Sequence, residues 1–196
     1  MGKKQIKKDS RISVKKKRWY SIQAPKVLNN VIVGETPAAD PALLEGRIIT
    51  INLHTVTRNI KKQNTEVKFK IKEIKGNECL TDFIGYEIVS AYVKRLVKRS
   101  KCRVDDSFIA ETKDNKQVRI KPLVLTRDKA QKGILSALRK SSKEYLTKKL
   151  KEMDYNEFLS KLMLGEIQKE MKGELKKVYP LSIAEVRALR LIVNKK

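Results

Sequence analysis

Few side chains in this sequence are of a type that does bond-making chemistry, and their spacing does not group them. Histidine occurs once, at His54, so no His–His metal pair exists and His54 is the only imidazole base. In the alternating stretch RIITINLHTVT it falls with Thr50 and Asn52 on a polar strand face, away from any recognisable nucleophile motif. Cys79 and Cys102 are the only cysteines and form no CxxC. A four-ligand zinc site would need both of them, His54 and a carboxylate from well-separated segments. The adjacent acids Asp105 and Asp106 are of a type that holds Mg²⁺, but metal sites draw ligands from several segments, and a loop- or helix-end role suits the pair better. GEIQKEMKG lacks the glycine and Lys-Ser/Thr positions of a P-loop. The expectation is a protein that is not an enzyme, with no cofactor, no metal and no small-molecule substrate.

The chemistry that is abundant is charge. Lys and Arg number 46 against 22 Asp and Glu, a net charge of +24 and a pI near 10.0. A small domain ordinarily carries a net charge of about 2–8, and an excess this large repels itself unless anions surround it. A nucleic-acid backbone supplies that anionic field and binds by releasing condensed counterions. With aromatic residues at only 6%, phosphate contact and shape are the expected modes of recognition rather than base-stacking platforms. Two reduced thiols, no apolar stretch after MGKKQIKK and no apolar run long enough to span a bilayer point to a cytoplasmic protein without a membrane role.

Residues 1–18 hold nine bases and one acid and are expected to form a disordered basic arm ending in Lys15, Lys16, Lys17 and Arg18. Trp19, directly after that run, either stacks on unpaired bases or anchors the arm to the core; the second reading is favoured. Residues 19–45 read as irregular, punctuated by Pro25, Pro37 and Pro41, with VIV at 31–33 as a short strand. From Gly46 the period becomes two. Ile49, Ile51 and Leu53 share one face of a first strand, and Val67, Phe69 and Ile71 one face of a second, leaving Lys68, Lys70 and Lys72 outward. Those lysines either track phosphates or guard a sheet edge. A turn at Lys75-Gly76-Asn77 leads to a short strand, ECLTDF. Ile88, Val89, Tyr92, Val93, Leu96 and Val97 then recur at helical spacing, with Lys94, Arg95, Lys98, Arg99 and Lys101 across the helix. Asp114-Asn115 is the turn of a hairpin whose second strand carries Arg119, and Pro122 ends, bends or edges that strand.

From Thr126 the pattern is helical. Ile134, Leu135, Leu138, Leu146 and Leu150 form the buried stripe, Arg139 and Lys140 lie among its bases, and a break at Ser141-Ser142 is conceivable. Asn156 caps a second helix burying Phe158, Leu159, Leu162, Met163, Ile167 and Met171. VRALRLIV reads as a terminal strand. The expected organisation is therefore a basic arm (1–18), a β-rich region with one basic helix (19–125), and a helical region with a returning strand (126–196), the last two forming one composite domain.

In detail the sequence resembles the archaeal and eukaryotic small-subunit ribosomal protein family called S-three-Ae, also S-one-e. The resemblance rests on KKRWYSIQAP at 16–25, LEGRI at 44–48, NECLTDFIGYE at 77–87, VKRLVKRSKCRVDD at 93–106, QVRIKP at 117–122 and VYPLSIAEVR at 178–187. The compact length and the GYE and VKRLVKR stretches look archaeal. One stretch departs: after Gly46-Arg47 the family pattern of acids gives way to Thr50, Asn52, Thr55 and Val56, with only Leu53 retained. The resemblance implies an α+β fold with a barrel-like antiparallel region followed by packed helices. It implies a non-catalytic component of the small subunit on the platform near the mRNA exit, binding rRNA beside neighbouring platform proteins and close to mRNA. Together the charge placement and the resemblance nominate Lys15, Lys16, Lys17, Arg18, Trp19, Lys26, Arg47, Arg58, Lys68, Lys70, Lys94, Arg95, Lys98, Arg99, Lys101, Arg119, Arg139 and Lys140 as rRNA contacts. The competing reading is a free-standing basic protein that compacts DNA or RNA.

Overall fold

A computed structural model of the chain describes residues 16–25, 28 and 30–192. The expected basic arm through Lys15, and Lys26, lie outside the described residues. Among the described residues the fold is α+β: a nine-stranded, mostly antiparallel sheet that does not close, with five α-helices.

The sheet is organised around two long strands with alternating burial. In β4 (Thr65–Lys75), Val67, Phe69 and Ile71 are wholly buried, as the period of two requires. A two-residue turn in which Gly76 takes a positive φ of 62° returns the chain as β5 (Glu78–Ile88), longer than the short strand expected there. β3 (Ile48–Asn52) pairs with the outer side of β4. The other side of β5 is shared by two partners. β1 (Arg18–Gln23) lies parallel to its first residues and β9 (Leu181–Leu191) antiparallel to its last. β1 in turn pairs with β2 (Ile32–Ala38), so the region read as irregular is largely a two-stranded antiparallel ribbon. β9 continues the sheet to β8 (Gln117–Thr126), whose far side is divided between β7 (Phe108–Glu111) and β6 (Arg103–Asp105).

Several sequence expectations are corrected by local hydrogen bonding. The strand through residues 47–57 stops at Asn52, whose side-chain oxygen accepts the His54 N–H at 3.0 Å and caps α1 (Leu53–Thr57). Leu53 and Val56 are thus buried on a helical turn, and His54 leaves the strand face. Pro122 does not end its strand. It lies where the far-side ladder changes from β7 to β6, and the register against β9 shifts at Lys121/Pro122. The basic helix is short: α2 spans Ser90–Leu96, Ile88 belongs to β5, and Lys98, Arg99 and Lys101 follow the helix. Thr126 ends β8 instead of starting a helix, its hydroxyl donating to the Asp128 carbonyl and accepting the Cys102 N–H. The long helix α3 runs unbroken over Lys132–Glu152, with buried Ser142 donating to the Arg139 carbonyl.

What reads as one following helix is two. α4 (Tyr155–Leu164) begins after Asp154 rather than at Asn156, and Gly165, at φ 88°, separates it from α5 (Glu166–Lys176). A Cβ at Gly165 would lie 3.2 Å from the Lys62 ammonium as well as in strained backbone. Gly165→Ala is therefore expected to cost about 1–2 kcal/mol, measurable as a lowered urea midpoint at unchanged m-value.

The helices cover one face of the sheet. Leu138, Leu146 and Leu150 of α3, Phe158, Leu159 and Leu162 of α4, and Ile167 and Met171 of α5 form one core with Val67, Phe69, Val118, Ile120 and Leu189. An edge-to-face series, Phe69–Phe83 at 5.8 Å and Phe83–Tyr155 at 6.5 Å, joins the two layers. A smaller cluster of Tyr20, Ala38, Leu44, Ile71 and Cys79 seats the N-terminal ribbon.

Candidate nucleic-acid interface

Strand register assembles the first basic surface. Thr50 pairs with Lys68, Lys68 with Gly85, Gly85 with Arg190, Arg190 with Arg119, and Arg119 with Ile109. These residues form one transverse line across six strands, about 24 Å long at ~4.8 Å per strand. They alternate with Val67, Leu189, Ile120 and Phe108 of the core, so the line lies on the face away from the helices. At its centre Gly85 is buried between the Lys68 and Arg190 side chains, and a Cβ there would meet the Leu189 carbonyl at 3.2 Å. Glu87 beside the line accepts from Lys68 at 2.8 Å and from Arg190 at 2.9 Å. The hydrogen bond from Lys68, opposed by burial and reinforced by Arg190, holds the Glu87 carboxyl below the usual carboxylate range.

The expected lysine row of β4 is thus modified. Lys68 is half-buried and engaged by Glu87, Lys72 sits at a register shift 3.8 Å from Asp82, and Lys70 remains exposed. β3 flanks β4 over Glu66–Lys70 and β5 lies on its other side, so Lys68 and Lys70 do not guard a sheet edge, while Lys72 lies beyond the β3 ladder.

A second surface surrounds a cleft of about 530 Å³ between the 3₁₀ turn Ile60–Lys62, α2, the α4–α5 junction and β9. Its lining includes Lys61, Lys62, Lys169 and Lys172 together with Asn59, Asn64, Tyr92, Gln168 and Glu185. Two nominated residues meet its rim. The Arg95 guanidinium lies 5.6 Å over the Tyr92 ring and 3.3 Å from Asn64 Oδ1, while Lys101 donates to the hydroxyl of Ser182. Lys172 donates to the Ser182 carbonyl at 2.8 Å. Burial pushes the Glu185 carboxyl up, with Lys62 pulling it back; burial also pushes the Lys62 ammonium down, against Glu185. No local pattern could reveal this cleft, because its walls come from segments more than a hundred residues apart.

The remaining nominated residues are dispersed. Lys94, Lys98 and Arg99 are exposed on and after α2, and Arg139 and Lys140 are exposed on α3. Arg47 donates to Thr36 Oγ1 at 2.6 Å, tying β2 to the start of β3. Arg58 takes a left-handed conformation at the end of α1 with its side chain exposed. Lys16, Lys17 and Arg18 are exposed. Trp19 is 63% exposed and Tyr20 only 3%, so Tyr20 is the anchor and Trp19 presents its ring to solvent.

The residues considered for catalysis stay apart. Asp105 pairs with Arg103, and Asp106 accepts the Ser107 N–H at 2.8 Å as a loop cap. Cys79 is buried, its thiol pushed up by burial, and Cys102 accepts the Ala130 N–H. Among the described residues no cluster of His, Cys, Asp and Glu is arranged to hold a metal ion.

Comparison with known proteins supplies what geometry alone does not. The sequence is 34% identical over 180 residues to small ribosomal subunit protein eS1 of Methanothrix thermoacetophila, covering 92% of this chain and 85% of that one. It is 32% identical over 178 residues to the eS1 protein of Methanothermobacter thermautotrophicus, covering 91% of each. The eS1 protein of Saccharolobus islandicus is 34% identical over 178 residues, covering 91% of this chain and 86% of that one. Residues 3–194 match the Ribosomal S3Ae family from end to end of the described chain, and the protein belongs to that family.

Proposed function

We propose that this protein is a structural constituent of the small ribosomal subunit that binds rRNA through its basic surfaces, on the platform near the mRNA exit. The observation that carries the reading is family membership over residues 3–194, with relatives named as small-subunit proteins. The charge distribution supports it. The transverse line on the open sheet face puts Arg119 and Arg190 on one exposed surface with Lys70 nearby, and the lysines of the cleft make a second. A sheet face about 24 Å across, bearing cations at strand spacing, suits several phosphates of a folded RNA rather than one ligand. Trp19, exposed beside Lys16, Lys17 and Arg18, is placed to stack on an unpaired base. Neighbouring platform proteins and mRNA near the exit complete the set of proposed partners, and the ribosome in the cytoplasm is the proposed location.

The test is sedimentation of the native protein. It should travel with the small subunit and stay there after a moderate salt wash. Recovery only in the free fraction, with equal affinity for duplex DNA and structured rRNA, would favour the compacting reading instead.

A further inference from the structure

We propose that the cleft beside Gly165 is a pocket for one guanine base turned out of a single-stranded or looped RNA, read on its Watson–Crick edge by Glu185 and Gln168. The inference rests on the rRNA-binding reading and names the chemical group that this part of the interface takes. The cleft, about 530 Å³, falls within the range of small-ligand sites and has room for a base with its ribose.

Its floor holds an unmet acceptor. The Gln168 amide nitrogen donates to the Leu162 carbonyl at 3.0 Å, which fixes the orientation of the group, and leaves its oxygen buried without a donor. A buried acceptor without a donor is costly and calls for a ligand or water to supply one. Glu185 lines the same cleft, half-buried, and Lys62 is the cation acting on it. The lysines around the rim suit phosphates, while the carboxylate and the orphaned amide oxygen of the floor suit a donor-bearing group.

The four bases differ in what they offer such a floor. Guanine presents two adjacent donors, N1–H and N2–H, beside the acceptor O6. Adenine and cytosine present one amino group next to acceptors, and uracil one imino group between two acceptors. Only guanine can satisfy two acceptors at once and still offer O6 to an ammonium, here Lys62 or Lys169. Tyr92, on the wall beneath Arg95, provides a ring for stacking, and Lys61 and Lys172 line the same cleft as cations for the flanking phosphates.

The experiment titrates the full chain with guanosine, adenosine, cytidine and uridine monophosphates, following the Gly165 backbone amide and Gln168 side-chain amide by NMR. All four probes carry the same phosphate, so a difference among them reports the base. The expected result is a preference for guanosine monophosphate of ~10-fold or more, lost in Glu185→Gln and in Gln168→Met. Lys61→Ala, at a phosphate-facing lysine, should weaken all four nucleotides without changing their order. Thermal melting of each variant separates loss of the pocket from loss of the fold, and the two floor variants act independently if one of them does not fold. Equal shifts from all four nucleotides, shifts confined to other surfaces, or a guanine preference that survives both floor variants would overturn the proposal. Because free nucleotides probe the cleft directly, its failure is distinct from failure of rRNA binding. A protein that sediments with the small subunit yet shows no guanine preference loses only the pocket.

Discussion

Replacing Lys70, Arg119 and Arg190 together by alanine should weaken binding of a structured rRNA fragment about 100-fold at physiological salt. The same variant should flatten the slope of log K against log salt by about 2–3. The estimate follows from counterion release, in which each lost phosphate contact removes ~0.7–0.9 from the slope. Arg119 and Arg190 face each other in register on adjacent strands, and Lys70 lies two residues beyond Lys68 on the same face of β4. All three are exposed, so truncation leaves the core intact. Lys68 is kept because it and Arg190 share Glu87; losing both would leave that carboxylate without a cation and confuse the measurement. Affinity should fall equally across unrelated RNA sequences, since phosphate contacts position without reading bases. Arg139→Ala with Lys140→Ala tests the separate α3 surface. Unchanged affinity and slope in the sheet variant would remove that face from the interface.

This surface shows where the sequence is a sufficient guide and where it is not. Val67, Phe69 and Ile71 announce their strand because a period of two from Thr65 to Ile71 has one way to bury every second side chain. The same logic gave the outward lysines and the returning terminal strand. It could not show that Arg119 would stand beside Arg190, because register between strands distant in sequence depends on packing of the whole sheet. β1, and β2 beyond the short strand read at 31–33, escape the pattern because, as a ribbon with several exposed positions, they lack strong alternation; the burial of β2 alternates only near its end. α1 was missed because Leu53 fits either period, and the Asn52 cap, a contact between neighbours, decides for the helix. Gly165 was legible in principle, as glycine is the usual residue at a left-handed helix end, but the apolar spacing continues across it and masks the break. The cleft needs all of these corrections at once, since α2 must end early and α5 must start anew for Asn64, Tyr92, Gln168 and Glu185 to line one space.

The largest stability effect is expected at Phe69, between Lys68 and Lys70 of β4. Its ring is wholly buried and stands edge-on to Phe83, which in turn meets Tyr155 at the start of α4. Phe69→Ala removes the ring that begins this series and leaves a cavity beneath the centre of the sheet, where two layers limit collapse. The expected cost is ~3–5 kcal/mol, a large share of the ~5–15 kcal/mol by which domains are ordinarily stable. It should appear as a lower urea midpoint at unchanged m-value. The lysines on either side project from the opposite face, so at low temperature, where the variant is folded, its rRNA affinity and salt slope should match those of the parent. A loss of affinity in the folded variant would mean that the basic face depends on the exact packing beneath it. Retention would show that the two faces of β4 act separately, the apolar one holding the helices and the cationic one free to meet RNA.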